Sequence, residues 1–275
     1  DYDVRTITVG PSQTNIICIN PFEFPTGHPP LLFFMKYSTK LLDKIIQEIE
    51  KNDKSIVMSH FPIPTQHNER SSNGQKFADI IGSNEKVLAY LTGHTHPKTM
   101  QLYHQGKGGL EIIGPSNYYA SKFGVVTLDN DMIGWTEVEL TNPLKGVISY
   151  PIKKSQISTH TNFKDIQNSE IRVIMFSERK DLEIDFSVIA EDEENKVIFE
   201  GRLNYCKSLN NGKQSLYTYP MNEVVKGAGS YNVTFSGDFN ESIEFFVGDL
   251  YVSERESMPT LFNTRNFLFV TFPVF

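Results

Sequence analysis

Seven histidines are spread through the 275 residues, and three of them stand in patterns that suit metal ligation. Gly93-His94-Thr95-His96 follows the apolar run Val87-Leu88-Ala89-Tyr90-Leu91, which reads as a buried strand. Two imidazoles one residue apart therefore sit on the loop beyond a strand's C-terminal end, where α/β sheets carry their chemistry. Gly93 is predicted to let the backbone turn, and the His-x-His spacing aims both rings at one small volume, as a metal needs. Upstream, Ser55-Ile56-Val57-Met58-Ser59 is a second short apolar strand, which ends in His60 and breaks into Phe61-Pro62. A bare His-x-His on a polar loop is more often solvated than ligating, so it is the repetition of the pattern that gives it weight.

The elements that must position these rings follow an α/β rhythm. Val4 to Val9 and Asn15 to Asn20 read as strands joined by a Gly10-Pro11-Ser12 turn. Ser38 is the expected N-cap of a helix reaching about Lys51, with Leu41, Leu42, Ile45, Ile46 and Ile49 on one apolar face. Helix, buried strand and ligand loop then succeed one another, and Phe77, Ile80 and Ile81 mark a short helix before the strand that delivers His94. The loop from Phe61 to Arg70 is rigidified by two prolines and carries His67 and Arg70, both suited to a phosphate. After the motif two hairpins are expected, Thr99–His104 with Leu110–Ile113 and Gly124–Leu128 with Ile133–Leu140.

Two strands ending in histidine, the second in Gly-His-x-His, resemble the C-terminal half of the calcineurin-like metallophosphoesterases. That resemblance implies a partial α/β/β/α sandwich over residues 1–143, with the two hairpins in its second sheet. It implies two divalent ions in the intact protein (Mn, Fe or Zn), His60 and His94 on one and His96 on the other, and a phosphate monoester or diester as substrate. In that family an Asp-x-His, a Gly-Asp and a Gly-Asn-His precede these motifs, and none occurs in residues 1–59. The expectation is therefore a fragment of a longer hydrolase, inactive alone, with no catalytic residue in this chain.

From Thr141-Asn142-Pro143 onward the turn formers cluster and helical periods cease. Strands are predicted at Ile171–Phe176, Leu182–Val188, Lys196–Tyr205, Tyr231–Phe235 and Ile243–Val247, giving a β-sandwich over residues 144–253. The step into Tyr231 resembles the tyrosine corner of immunoglobulin-like and fibronectin-like domains, so the fold class is α/β plus all-β. Residues 254–275 close on an apolar run that reads as a last strand or the approach to a membrane segment. Phosphoesterase half, sandwich and apolar end in this order resemble the transmembrane protein 62 family, which implies a membrane protein with this region extracytoplasmic. Sequons at Asn232 and Asn240 accord with a secretory lumen and mark glycosylation candidates.

A formal charge of −7, with no basic run longer than Lys153-Lys154, argues against a nucleic-acid partner. Cys18 and Cys206 read as two separately buried thiols and not as a disulfide framework. Two other functions fit the same residues. One is a phosphoesterase-like pseudoenzyme whose sandwich binds a partner; the other is a structural zinc site in which His67 joins His60, His94 and His96.

Overall fold

A computed structural model describes residues 4–9, 14–20, 36–66, 69–105, 109–117, 121–129, 132–141, 144–157, 169–191 and 196–248. The chain divides into two compact units, Asp1–His94 with Tyr103–Glu111 and Thr95–Leu102 with Ile112–Ser253. The division falls within the His94-Thr95-His96 motif and again between residues 111 and 112. Residues 254–275 lie outside the described residues, and among those described no helix is long and apolar enough to cross a membrane.

In the first unit β1 (Val4–Val9) and β2 (Thr14–Ile19) form the expected antiparallel hairpin. Strand β3 (Ser55–Met58) lies parallel to β2, and β4 (Val87–Thr92) lies parallel to β3. With β5 (Gln101–Gln105) and β6 (Gly109–Ile113) the sheet has the order β1-β2-β3-β4-β6-β5. The hairpin expected in a second sheet thus extends the first one.

Helix α1 (Thr39–Glu50) starts where Ser38 places its Oγ to accept from the Leu41 N–H at 3.2 Å, which satisfies one of the orphan donors of the first turn. Its face of Leu41, Leu42, Ile45 and Ile49 is buried, and Ile46 packs at the margin. Helix α2 (Phe77–Gly82) adds Phe77, Ile80 and Ile81 to the same core, beside Val57, Val87 and Tyr90 of the central strands.

The second unit is antiparallel throughout. Strands β7 (Lys122–Asp129) and β8 (Met132–Glu139) make a two-stranded sheet. The strands β9 (Gly146–Tyr150), β10 (Glu170–Met175), β11 (Ile184–Ala190), β12 (Val197–Arg202) and β13 (Asn204–Leu209) follow. After them come β14 (Gln214–Pro220), the short helix α3 (Met221–Val224), β15 (Gly229–Gly237) and β16 (Glu241–Val247). They form two four-stranded sheets, β13-β14-β10-β9 and β12-β11-β15-β16. Val173 and Tyr217 from one sheet and Val188, Val233 and Phe245 from the other share one apolar core, so the two sheets pack as a sandwich. The run expected as a single strand over 196–205 breaks at Leu203, which turns into the core, so its two halves join different sheets.

Both cysteines are free. Cys18 is half-buried, but Cys206 is exposed because β13 is an edge strand whose first four residues face solvent. The expectation of a buried thiol fails there.

Candidate functional site

The first unit brings His60 and His94 together. β3 and β4 are adjacent and parallel, and their pairing runs on past the strands: the Ser59 N–H donates to the Leu91 carbonyl at 3.1 Å and the Gly93 N–H to the His60 carbonyl at 3.0 Å. Both loops therefore leave the sheet in step. His60 Nε2 stands 3.3 Å from His94 Nδ1, with the ring planes at 79°. The buried ring of Phe61 lies against His94 at a centroid distance of 4.4 Å, and also meets His60 edge-on at 4.9 Å.

The sharp turn is made differently from the expectation. Gly93 is not among the residues with positive φ; His94 (68°) and His96 (49°) carry the left-handed conformation themselves. For a residue with a Cβ this costs on the order of 1 kcal/mol, a strain that the surrounding structure must hold in place.

Polar groups underlie the loop after His60. The Phe61 carbonyl accepts from the Tyr90 hydroxyl at 2.6 Å and from Gln66 Nε2 at 2.8 Å. Glu111, wholly buried, accepts from the Ile63 N–H at 2.7 Å through Oε1 and from Gln105 Nε2 at 2.5 Å through Oε2. Burial pushes its carboxyl up to about 7 against the lowering effect of those two donors. Burial likewise pushes the Tyr37 phenol, 2.7 Å from Ser59 Oγ, up to about 12 and raises Tyr90, so both stay neutral hydrogen-bonding groups.

His96 is exposed and belongs to the second unit, and His67 lies outside the described residues. Arg70 is exposed and its guanidinium donates to the Gly74 carbonyl at 2.7 Å, tying off its own turn. Among the described residues no group of three or more His, Cys, Asp or Glu side chains gathers as a metal site would. In the second unit Asn240 sits exposed in the β15–β16 turn and donates to the Gly237 carbonyl, and Asn232 Oδ1 accepts from Ser242 Oγ at 2.8 Å. Thr234 Oγ1 and Ser242 Oγ, the hydroxyls of the two sequons, lie 3.1 Å apart on one polar sheet face.

Tyr90 and Glu111 are the contributors that sequence reasoning overlooked. Each is a polar residue inside an apolar run, Val87–Leu91 and Leu110–Ile113, and that interruption was the available signal. Compared with known proteins, the sequence matches no protein-family model and no curated relative.

Proposed function

We propose that His60 and His94 are two donors of a divalent-metal site of the calcineurin-like phosphoesterase type. The observation that carries this reading is the 3.3 Å separation of their ring nitrogens at the ends of adjacent parallel strands. Two imidazoles on one tetrahedral ion, with bonds of about 2.0–2.1 Å, place their nitrogens about 3.3–3.4 Å apart. The left-handed backbone at His94 adds support, since local strain of this kind clusters at functional sites.

The residues present fit part of such a group. They supply two neutral nitrogens and no compensating carboxylate, so further donors are required, and the place of His96 on a second ion rests on the sequence resemblance alone. When bound, a cation of this kind polarises a phosphoryl oxygen and makes a nucleophile of coordinated water at neutral pH. The chain's own part is orientation. Phe61 covers one side of His94, while Tyr90 and Gln66 fix the Phe61 carbonyl and, with it, the direction in which His60 leaves its strand. The substrate is read as a phosphate monoester or diester.

The second unit is read as an immunoglobulin- or fibronectin-like sandwich. The Tyr231 hydroxyl supports this by donating to the Gly227 carbonyl four residues upstream, at 2.9 Å. Within the same reading the region is extracytoplasmic and anchored to a membrane, with Asn232 and Asn240 as acceptors for glycans.

Titration of the purified chain with Zn2+, followed by NMR of the histidine rings, tests the centre. His60 and His94 signals are expected to shift together with weak affinity, and His60→Ala to abolish the response at His94. Rings that do not respond, or a His94 response that survives His60→Ala, would exclude a shared ion.

A further inference from the structure

The sheet of the first unit ends on β1, and the sheet face turned away from α1 stays apolar out to this edge. Pairing sets Ile7 opposite Ile16, Ile16 beside Ile56, and Ile56 beside Ala89. Residues directly across a ladder share a face, so these four make one row. Thr6 marks the other face, since its hydroxyl donates to Glu48 Oε2 of α1 at 3.2 Å. Along the row exposure climbs from 0% at Ala89 and 5% at Ile56, through half-buried Ile16, to 56% at Ile7. Ile7 is the most exposed large apolar side chain among the described residues. The row is covered in the middle of the sheet and loses its cover at the edge.

That edge is also open to pairing. All six residues of β1 pair with β2 without a bulge, and Val4-Arg5-Thr6-Ile7-Thr8-Val9 holds no proline, no lysine and a single charge, Arg5. Bulges, prolines and charges are what keep edge strands from accepting a further strand. The second unit uses such devices. Its edge strands β12 and β13 meet their neighbours across register shifts, and β13 carries Lys207.

The sequence of β1 limits what fits beside it. Thr6-Ile7-Thr8 reads the same in both directions, so a second copy running antiparallel, with Ile7 on the two-fold axis, matches it residue for residue. Ile7 then meets Ile7 of the partner subunit, Thr6 meets the partner's Thr8, and Arg5 meets the partner's Val9. Thr–Thr and β-branched pairs are favourable cross-strand neighbours, and the one charge does not face its own copy. The apolar row Ile56-Ile16-Ile7 continues across the axis into its own reverse. Isologous association requires a self-complementary patch of this kind.

We infer that the chain forms a two-fold dimer in which β1 pairs antiparallel with β1 of a second copy, joining two six-stranded sheets into one. The contact is short. Six residues at about 3.4 Å each span about 20 Å, at the small end of protein interfaces, so dimer and monomer exchange. Because β2 separates β1 from β3, the inference stands independently of the histidine pair.

Sedimentation velocity of the full chain from about 1 μM to about 1 mM tests it. The average sedimentation coefficient should rise with concentration toward that of a dimer. Ile7→Lys removes the apolar contact and sets like charges on the axis, and should weaken association at least about tenfold. Val197→Lys, at a position 44% exposed on edge strand β12, should leave association unchanged. In a Cys206→Ser background, Ile7→Cys should become a disulfide-linked dimer under mild air oxidation, because opposed residues of an antiparallel pair lie about 4.5–5.5 Å apart. Val197→Cys in the same background should not. A chain that stays monomeric at about 1 mM, a dimer that survives Ile7→Lys or is dispersed by Val197→Lys, or an Ile7→Cys protein that fails to cross-link would overturn the assignment.

Discussion

The central strands of the first unit and the sandwich strands of the second bury their side chains in different ways. The first three residues of β3 and the first four of β4 are buried without interruption, whereas β10 and β11 alternate, one residue in the core and the next half-exposed. Parallel strands in the middle of a sheet are covered on both faces; antiparallel sandwich strands keep one face for water. The consequence is functional. Where these strands are buried on both sides no side chain is free, so their chemistry is displaced to the residues near and just past their ends, which is where His60 and His94 stand. In the second unit, side chains within the strands remain available, and Lys122, Glu137 and Glu139 of the β7–β8 hairpin line a cavity directly.

The largest expected effects test that contrast. Val87→Asp and Leu88→Asp point to opposite faces of β4, and each should destabilise the first unit by at least about 4 kcal/mol, as read by hydrogen exchange. In β11 only one of two neighbours should matter. Val188→Asp should be equally damaging, while Ser187→Lys, opposite Glu200, should stay within about 0.5 kcal/mol. Similar sensitivity at both positions of β11 would break the comparison.

A smaller effect concerns the acid buried beneath the His60 loop. Burial raises the folded-state pKa of Glu111 from 4.5 to about 7, so the folded protein holds this proton more tightly than the unfolded chain does. Its contribution to stability is fully present below about 4.5 and is lost as pH rises through about 7, by roughly 3 kcal/mol. Urea unfolding of the first unit between pH 4.5 and 8, followed by far-ultraviolet circular dichroism, should show this loss, and Glu111→Gln should flatten it. A wild-type profile that rises over the same range would contradict the assignment.

Tyr90→Phe removes a donor to the Phe61 carbonyl and should cost about 1 kcal/mol, since Gln66 still serves that oxygen. At the bottom of the scale, Lys154 pairs with Glu244 and Glu191 at the surface, and Lys154→Ala should change the urea midpoint by less than about 1 kcal/mol.

Much of the fold was legible from local patterns. Ser38 and the apolar spacing after it placed α1, and the alternation in Leu182–Val188 placed β11. The strands β9 and β14 were not foreseen, because β9 is five residues beside a cluster of turn formers and β14 ends on Pro220, which reads as a breaker. Gly93 was credited with a conformation that the two histidines adopt, since a glycine advertises freedom whether or not the fold uses it. Of the candidate site, the positions of His60 and His94 at strand ends could be read, but not the buried contacts that aim them.

By itself the sequence determined element types, the caps, the faces and the placement of histidines after two apolar strands, because these depend on residues within a turn or two of one another. Only the tertiary structure decided that β3 and β4 are neighbours, that two rings 34 positions apart meet at 3.3 Å, that β6 pairs beside β4, and that the Gln156 amide closes on the Trp135 backbone. Those outcomes depend on which buried surfaces fit together across the chain, and periodicity specifies that a face is apolar without specifying what will cover it.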